Sequence, residues 1–242
     1  MIKRTVKLAK ESKGPHKSIV IAGTGSNSTR ATIAQSQAAQ RAGADAVMVV
    51  VPYYNKPTQD GMVAHYVAIA QSVDVPVVVY NIPGRTGIDL TTDALARICE
   101  KAPNVVAVKE ATGNVLRAQE IVRVIGPSRI TVLSGDDTLT LPMIAIGARG
   151  VISVTSNLYP AEVTKTTRLA LEGKIEEARR EHLALCNVHE VMFVEANPSP
   201  VKAALAHHGR MKDVVRGPLV GISEPARAKV IAAVKAYEAR AK

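Results

Sequence analysis

Six short runs of β-branched and small apolar residues recur along the chain: Ser18–Ala22, Ala46–Val51, Pro76–Tyr80, Val105–Lys109, Ile130–Ser134 and Gly150–Thr155. Their midpoints, Val20, Val49, Val78, Val106, Val132 and Ile152, are spaced by 29, 29, 28, 26 and 20 residues. Segments of helical pattern lie between them, such as Ser28–Ala42 and Asp60–Ser72. Near-continuous apolar strands alternating with helices predict a parallel sheet buried on both faces. The regular period favours a TIM-type (β/α) barrel over a doubly wound sheet. Gly23-Thr24-Gly25 also lacks the third glycine and the following acidic residue of a dinucleotide fingerprint. After the sixth run the pattern changes: Ala161–Glu172, Ile175–Glu190, Pro200–His208 and Glu224–Ala241 all read as helices, with Gly173 and Gly209 at helix stops.

The expectation is an α/β chain with an incomplete (β/α) barrel over residues 1–172 and an all-helical region over residues 173–242. A closed barrel filled by side chains uses about eight strands. Six runs therefore predict a barrel shortened at its N-terminus, and residues 1–17 read as the tail of a helix ending at Gly14-Pro15.

Composition adjusts this picture only at its edges. The net charge of +10 raises the possibility of a nucleic-acid partner, but it is concentrated at the two ends of the chain. Residues 1–17 carry six Lys/Arg and one Glu, residues 201–242 carry nine and three acids, and the middle is close to neutral. One Phe and no Trp offer few stacking platforms. The reading is a solvated basic periphery with no nucleic-acid partner. No run approaches the ~20 apolar residues of a membrane span, and no export signal precedes the first strand. Cys99 and Cys186 fit no metal or redox spacing and read as thiols of a reducing compartment, the cytoplasm.

In barrels of this type the reacting groups sit at the C-terminal ends of strands. Those ends carry Gly23-Thr24-Gly25-Ser26-Asn27, Pro52-Tyr53-Tyr54-Asn55, Tyr80-Asn81-Ile82-Pro83-Gly84-Arg85-Thr86, Lys109-Glu110-Ala111-Thr112-Gly113 and Ser134-Gly135-Asp136-Asp137. Lys109 ends an apolar run. Desolvation there favours the neutral amine that attacks a ketone, giving an imine that acts as an electron sink. The alternative is a lysine that snorkels to solvent. Tyr80 reads as a proton donor and acceptor beside Lys109, or as a rim tyrosine bonded to backbone. Arg85 follows a Pro-Gly turn, as a carboxylate clamp or a surface arginine. Tyr53-Tyr54 is part of a proton path or an anchor for a subunit contact. Asp136-Asp137 reads as a helix N-cap ahead of Leu139–Ile146 rather than a metal site, since no further ligand has matching spacing. His182, His189, His207 and His208 read as core or surface residues, and no metal is expected.

These motifs, with Gly150-Val151-Ile152-Ser153-Val154-Thr155 and Asn197-Pro198-Ser199-Pro200-Val201-Lys202, resemble in order those of the dihydrodipicolinate synthase family of pyruvate-dependent aldolases. The resemblance implies a (β/α) barrel with a C-terminal helical domain, assembled as a homo-oligomer, and no cofactor. It implies condensation of pyruvate with L-aspartate 4-semialdehyde to 4-hydroxy-tetrahydrodipicolinate, a step of lysine and diaminopimelate synthesis. By resemblance Lys109 forms the Schiff base, Tyr80 transfers protons, and Tyr54 crosses a dimer interface into the partner's relay. Arg85 serves the aldehyde's carboxylate, and Gly135 and Ile152 line the pyruvate pocket. Gly25, Asn27 and Tyr53 match part of a lysine feedback site. The family's Gly-Thr-Thr-Gly-Glu motif has no counterpart here. Two further readings follow: a weakly active or inactive scaffold of the same family, or an aldolase that joins pyruvate to another aldehyde.

Overall fold

The computed structural model describes residues 1–14 and 18–240. The chain divides into two compact units, Met1–Gly135 with Ile146–Arg149, and Asp136–Ala145 with Gly150–Lys242.

The first unit alternates strand and helix. Its order is α1 (Ile2–Glu11), β1 (Ile21–Gly23), α2 (Thr29–Arg41), β2 (Ala46–Val50), α3 (Gln59–Ala70), β3 (Val77–Asn81), α4 (Pro83–Thr86), α5 (Thr92–Lys101), β4 (Val105–Glu110), α6 (Val115–Ile125) and β5 (Thr131–Ser134). The strands form one parallel sheet in sequential order, β1-β2-β3-β4-β5. Val47, Val49, Val77, Val79, Val105 and Val108 are fully buried, as both-face burial of a parallel sheet requires. Capping sets where each loop turns into helix. The side chains of Ser28, Thr58, Thr91 and Asn114 accept from the first-turn amides of α2, α3, α5 and α6. The chain thus leaves each of these strands, makes a short polar loop and enters a helix. This repeated step places the loops together at the C-terminal ends of the strands, and it is the TIM-type unit that the periodicity predicted.

Two glycines mark close approaches. A Cβ on Gly25 would lie 2.5 Å from the Val50 backbone nitrogen, and one on Gly135 would lie 2.4 Å from Ala111 Cβ. No side chain fits at either position without moving its neighbour.

The second unit is helical: α7 (Thr140–Ala145), α8 (Pro160–Leu171), α9 (Ile175–Val191), α10 (Ser199–His207) and α11 (Glu224–Arg240). Leu158, Leu185, Val188, Met192, Val201, Ala204, Val230 and Val234 form its main core. The expected end of the last helix at Ala241 lies outside the described residues, as does Pro15 of the expected Gly14-Pro15 stop.

The sixth expected strand is not formed. Gly150–Thr155 contains an isolated bridge at Val151 and then enters a 3-10 turn at Thr155–Asn157. The cause is a side chain. Asp137, buried, accepts from the Val154 amide at 2.8 Å and the Thr155 amide at 3.2 Å, and also from the Ser153 hydroxyl. Amides committed to a carboxylate are not available to a strand ladder. The expected cap at this place falls to Asp136 alone, whose carboxylate accepts from the Thr138 amide at 2.8 Å.

Candidate active site

Tyr80 and Lys109 are register partners on the neighbouring strands β3 and β4. Partners on adjacent parallel strands point to the same face of the sheet. Here they meet: Lys109 Nζ lies 4.0 Å from the centroid of the Tyr80 ring. An ammonium over an aromatic face is attracted by the ring quadrupole. Burial pushes the Tyr80 phenol above its ordinary pKa, and the nearby Arg85 guanidinium opposes that rise. The phenol is therefore a hydroxyl at neutral pH, able to donate a proton to a group beside the lysine nitrogen.

Arg85 lies in α4, the single helical turn that follows β3, and its amide donates to the Ile82 carbonyl at 3.0 Å. Buried Thr86 pins the same turn, its hydroxyl shared between the carbonyls of Ile82 at 3.0 Å and Ile88 at 2.9 Å. The Thr86 carbonyl in turn accepts the Tyr54 amide at 3.4 Å, which ties the loop after β2 to the turn carrying Arg85. Tyr54 itself has φ of 76° and is 88% exposed. A tyrosine in the left-handed region is uncommon, and so is one presenting nearly its whole surface to solvent.

The remaining expected residues fall into three places. Gly135, directly after β5, donates its amide to the Glu110 carbonyl at 2.8 Å and so packs against the end of the lysine strand. Gly25, Asn27 and Tyr53 lie on the loops after β1 and β2. There the Asn55 side chain donates to the Asn27 carbonyl at 2.8 Å and holds the two loops together. Ile152, half-buried, belongs to the second unit, two residues before the Val154 amide that Asp137 holds.

One part of the first unit was not singled out from sequence. Asn81 and Glu110, 1% and 3% exposed, form the rung directly after Tyr80 and Lys109. Their side chains point to the opposite face and hydrogen-bond to each other at 3.1 Å. The signal was available: two polar residues one step beyond a candidate pair, on strands otherwise apolar, need a partner if they are buried. His182 and His189 are buried, as the core reading allowed. They bond to the Thr138 carbonyl at 3.1 Å and the Thr155 hydroxyl at 2.8 Å.

The family model described as "Dihydrodipicolinate synthetase family" matches residues 1–237. The 4-hydroxy-tetrahydrodipicolinate synthase of Sorangium cellulosum (strain So ce56) is 56% identical over 221 residues, 91% of this chain and 73% of that protein. The chain belongs to the dihydrodipicolinate synthetase family. Solved structures agree with this membership. The 4-hydroxy-tetrahydrodipicolinate synthase of Methylacidiphilum fumariolicum SolV superposes with a TM-score of 0.95 at 39% identity, over 99% of this chain and 78% of its own. A chloride-inhibited dihydrodipicolinate synthase of Acinetobacter baumannii, complexed with pyruvate, gives 0.92 at 39% identity, over 98% and 79%. The matched relatives are named as the synthase, so the Tyr80–Lys109 pair stands in a chain of enzymatic lineage.

Proposed function

We propose that this chain condenses pyruvate with L-aspartate 4-semialdehyde to give 4-hydroxy-tetrahydrodipicolinate, with Lys109 as the Schiff-base residue. The observation that carries the reading is Lys109 Nζ held 4.0 Å over the Tyr80 ring at the C-terminal ends of adjacent buried strands. The A. baumannii family member binds pyruvate, and the S. cellulosum relative has the synthase's name.

The neutral Lys109 amine adds to the ketone carbon of pyruvate. Loss of water from the carbinolamine leaves an iminium, whose positive nitrogen acidifies the neighbouring methyl group. Removal of a methyl proton gives an enamine. Its terminal carbon attacks the aldehyde of the second substrate, forming the new carbon–carbon bond. The amino group of that substrate then displaces Lys109 as the product ring closes. Each stage moves a proton at or beside the lysine nitrogen, and the Tyr80 hydroxyl lies on that side of the strand. Arg85, whose charge is felt at Tyr80, is assigned to the carboxylate of the aldehyde. Gly135, directly after β5, is assigned to a wall of the pyruvate pocket.

Tyr54, exposed and held in the left-handed region, is assigned to a contact with a second copy of this chain, where it would complete the partner's proton path. Gly25, Asn27 and Tyr53 are assigned to a regulatory lysine site, supported by the bond that joins their loops. A cytoplasmic location accompanies this reading. Both cysteines are free, and no helix among the described residues is long and apolar enough to cross a membrane.

Borohydride reduction in the presence of pyruvate tests the proposal. A pyruvyl adduct on the Lys109 peptide, found by mass spectrometry, is expected. An intact protein that turns over neither substrate and carries no adduct would sink it.

A further inference from the structure

Side chains alternate along a strand, so Lys109 and Glu110 face opposite sides of β4, and Tyr80 and Asn81 do the same on β3. The rung after the proposed reacting pair is therefore polar on its other face, where the strands elsewhere carry valine and alanine. Filling that space needs no carboxylate. Leaving water also costs a carboxylate several kcal/mol unless its oxygens are satisfied. The oxygens of Glu110 are satisfied in a specific way. Oε1 accepts the Thr112 amide at 2.7 Å, and Oε2 accepts Asn81 Nδ2 at 3.1 Å.

Asn81 is fixed from three directions. Its Nδ2 also donates to Asp89 Oδ1 at 2.8 Å, and its Oδ1 accepts the Leu90 amide at 3.2 Å. Two carboxylates on one end and an amide on the other leave a single orientation of the side-chain amide. Arg117 donates to the same Asp89 oxygen at 3.0 Å and so brings a cation to the far end of the series. The backbone runs parallel to it: the Asn81 carbonyl accepts the Ala111 amide at 2.9 Å. Glu110 thus fastens the last rung of β3 and β4, together with the turn through Thr112, immediately beyond Lys109.

We infer that Glu110 is a positioning residue for Lys109, working through Asn81. By clamping the strand ends and the turn behind the lysine, it fixes the direction in which the amine leaves the sheet and its placement over Tyr80. A reacting group displaced by about 1 Å loses on the order of a hundredfold in rate, so a clamp one residue away acts on catalysis without touching substrate. The inference rests on Lys109 being the Schiff-base residue. Glu110→Gln keeps the shape but breaks the pattern. A glutamine has one acceptor oxygen, so its amide nitrogen must face either the Thr112 amide or Asn81 Nδ2, donor against donor.

The experiment measures the rate of pyruvate-dependent borohydride trapping on Lys109, the steady-state constants and Tm for wild type, E110Q and N81S. Rates are normalised to folded protein and taken well below each Tm. We expect trapping and kcat to fall at least tenfold in E110Q and at least threefold in N81S, with KM for the aldehyde within twofold of wild type. A residue with only a packing role would lower Tm and leave the normalised trapping rate unchanged. If E110Q does not fold, N81S carries the test. Wild-type adduct on Lys109 with normal normalised trapping in the folded variants overturns the inference alone. No adduct on wild-type Lys109 overturns the functional reading, and this inference with it.

Discussion

At the residue scale the central question is the proton inventory around Lys109. Lys109→Ala removes the protein amine on which the proposed mechanism depends, and both adduct formation and turnover should fall to background in the borohydride and coupled assays. Tyr80→Phe keeps the ring under the amine and deletes the hydroxyl. General acid–base groups contribute about 10²–10⁴-fold, so kcat should drop by at least ~100-fold while the adduct still forms slowly. Burial raises the Tyr80 pKa above its ordinary value of 10.0, with Arg85 opposing the shift. A difference titration of phenolate absorbance between wild type and Y80F should therefore place its midpoint above 10.0. A midpoint below that value would contradict the environment described for the ring. Lys109 and Tyr80 were legible in the sequence because a polar residue at the end of an apolar run is conspicuous. Asn81 and Glu110 were less legible although they adjoin that pair. Which face they occupy, and that they find each other there, depends on the register of two strands 29 residues apart.

At the element scale, five of the expected strands form, because alternating strand and helix with caps at the loop ends leaves the local chain few other choices. The sixth apolar run was read as a strand on composition, and a distant carboxylate overrides that preference. Asp137→Ala would leave the buried Thr155 amide and its half-buried neighbour at Val154 without the acceptor they now have. An unmade buried hydrogen bond costs about 1–3 kcal/mol. A loss of at least ~2 kcal/mol, seen as a Tm lower by about 4–8 °C, is expected from denaturation of that variant. On α3, His65 is buried and its Nδ1 lies 2.9 Å from the Thr29 hydroxyl at the start of α2. Burial lowers its pKa from 6.5 to about 4. The unfolded chain then binds a proton more readily than the folded one. The stability contributed by neutral His65 is complete above pH 6.5 and is lost as pH falls through about 4. Tm measured across that window should fall less steeply in His65→Asn than in wild type; identical slopes would show that His65 does not titrate as described.

At the scale of the whole molecule, the fold class could be read from period and spacing, whereas assembly could not, because a contact between copies leaves no periodic trace. What the structure adds to the expectation for Tyr54 is its setting, a large ring offered to solvent on a loop hydrogen-bonded to the turn of Arg85. If a second copy receives that ring, Tyr54→Ala should lower the mass measured by light scattering at micromolar concentration and reduce turnover together. An unchanged mass would count against the contact. The left-handed backbone at residue 54 then has a consequence for variation. An L-residue there carries about 1–2 kcal/mol of conformational cost, which glycine would relieve. Tyr54→Gly should therefore give a protomer that is harder to unfold and an enzyme that works less well. Under the proposed contact, function and foldability pull in opposite directions at residue 54, so a screen for thermal tolerance alone would select against the tyrosine.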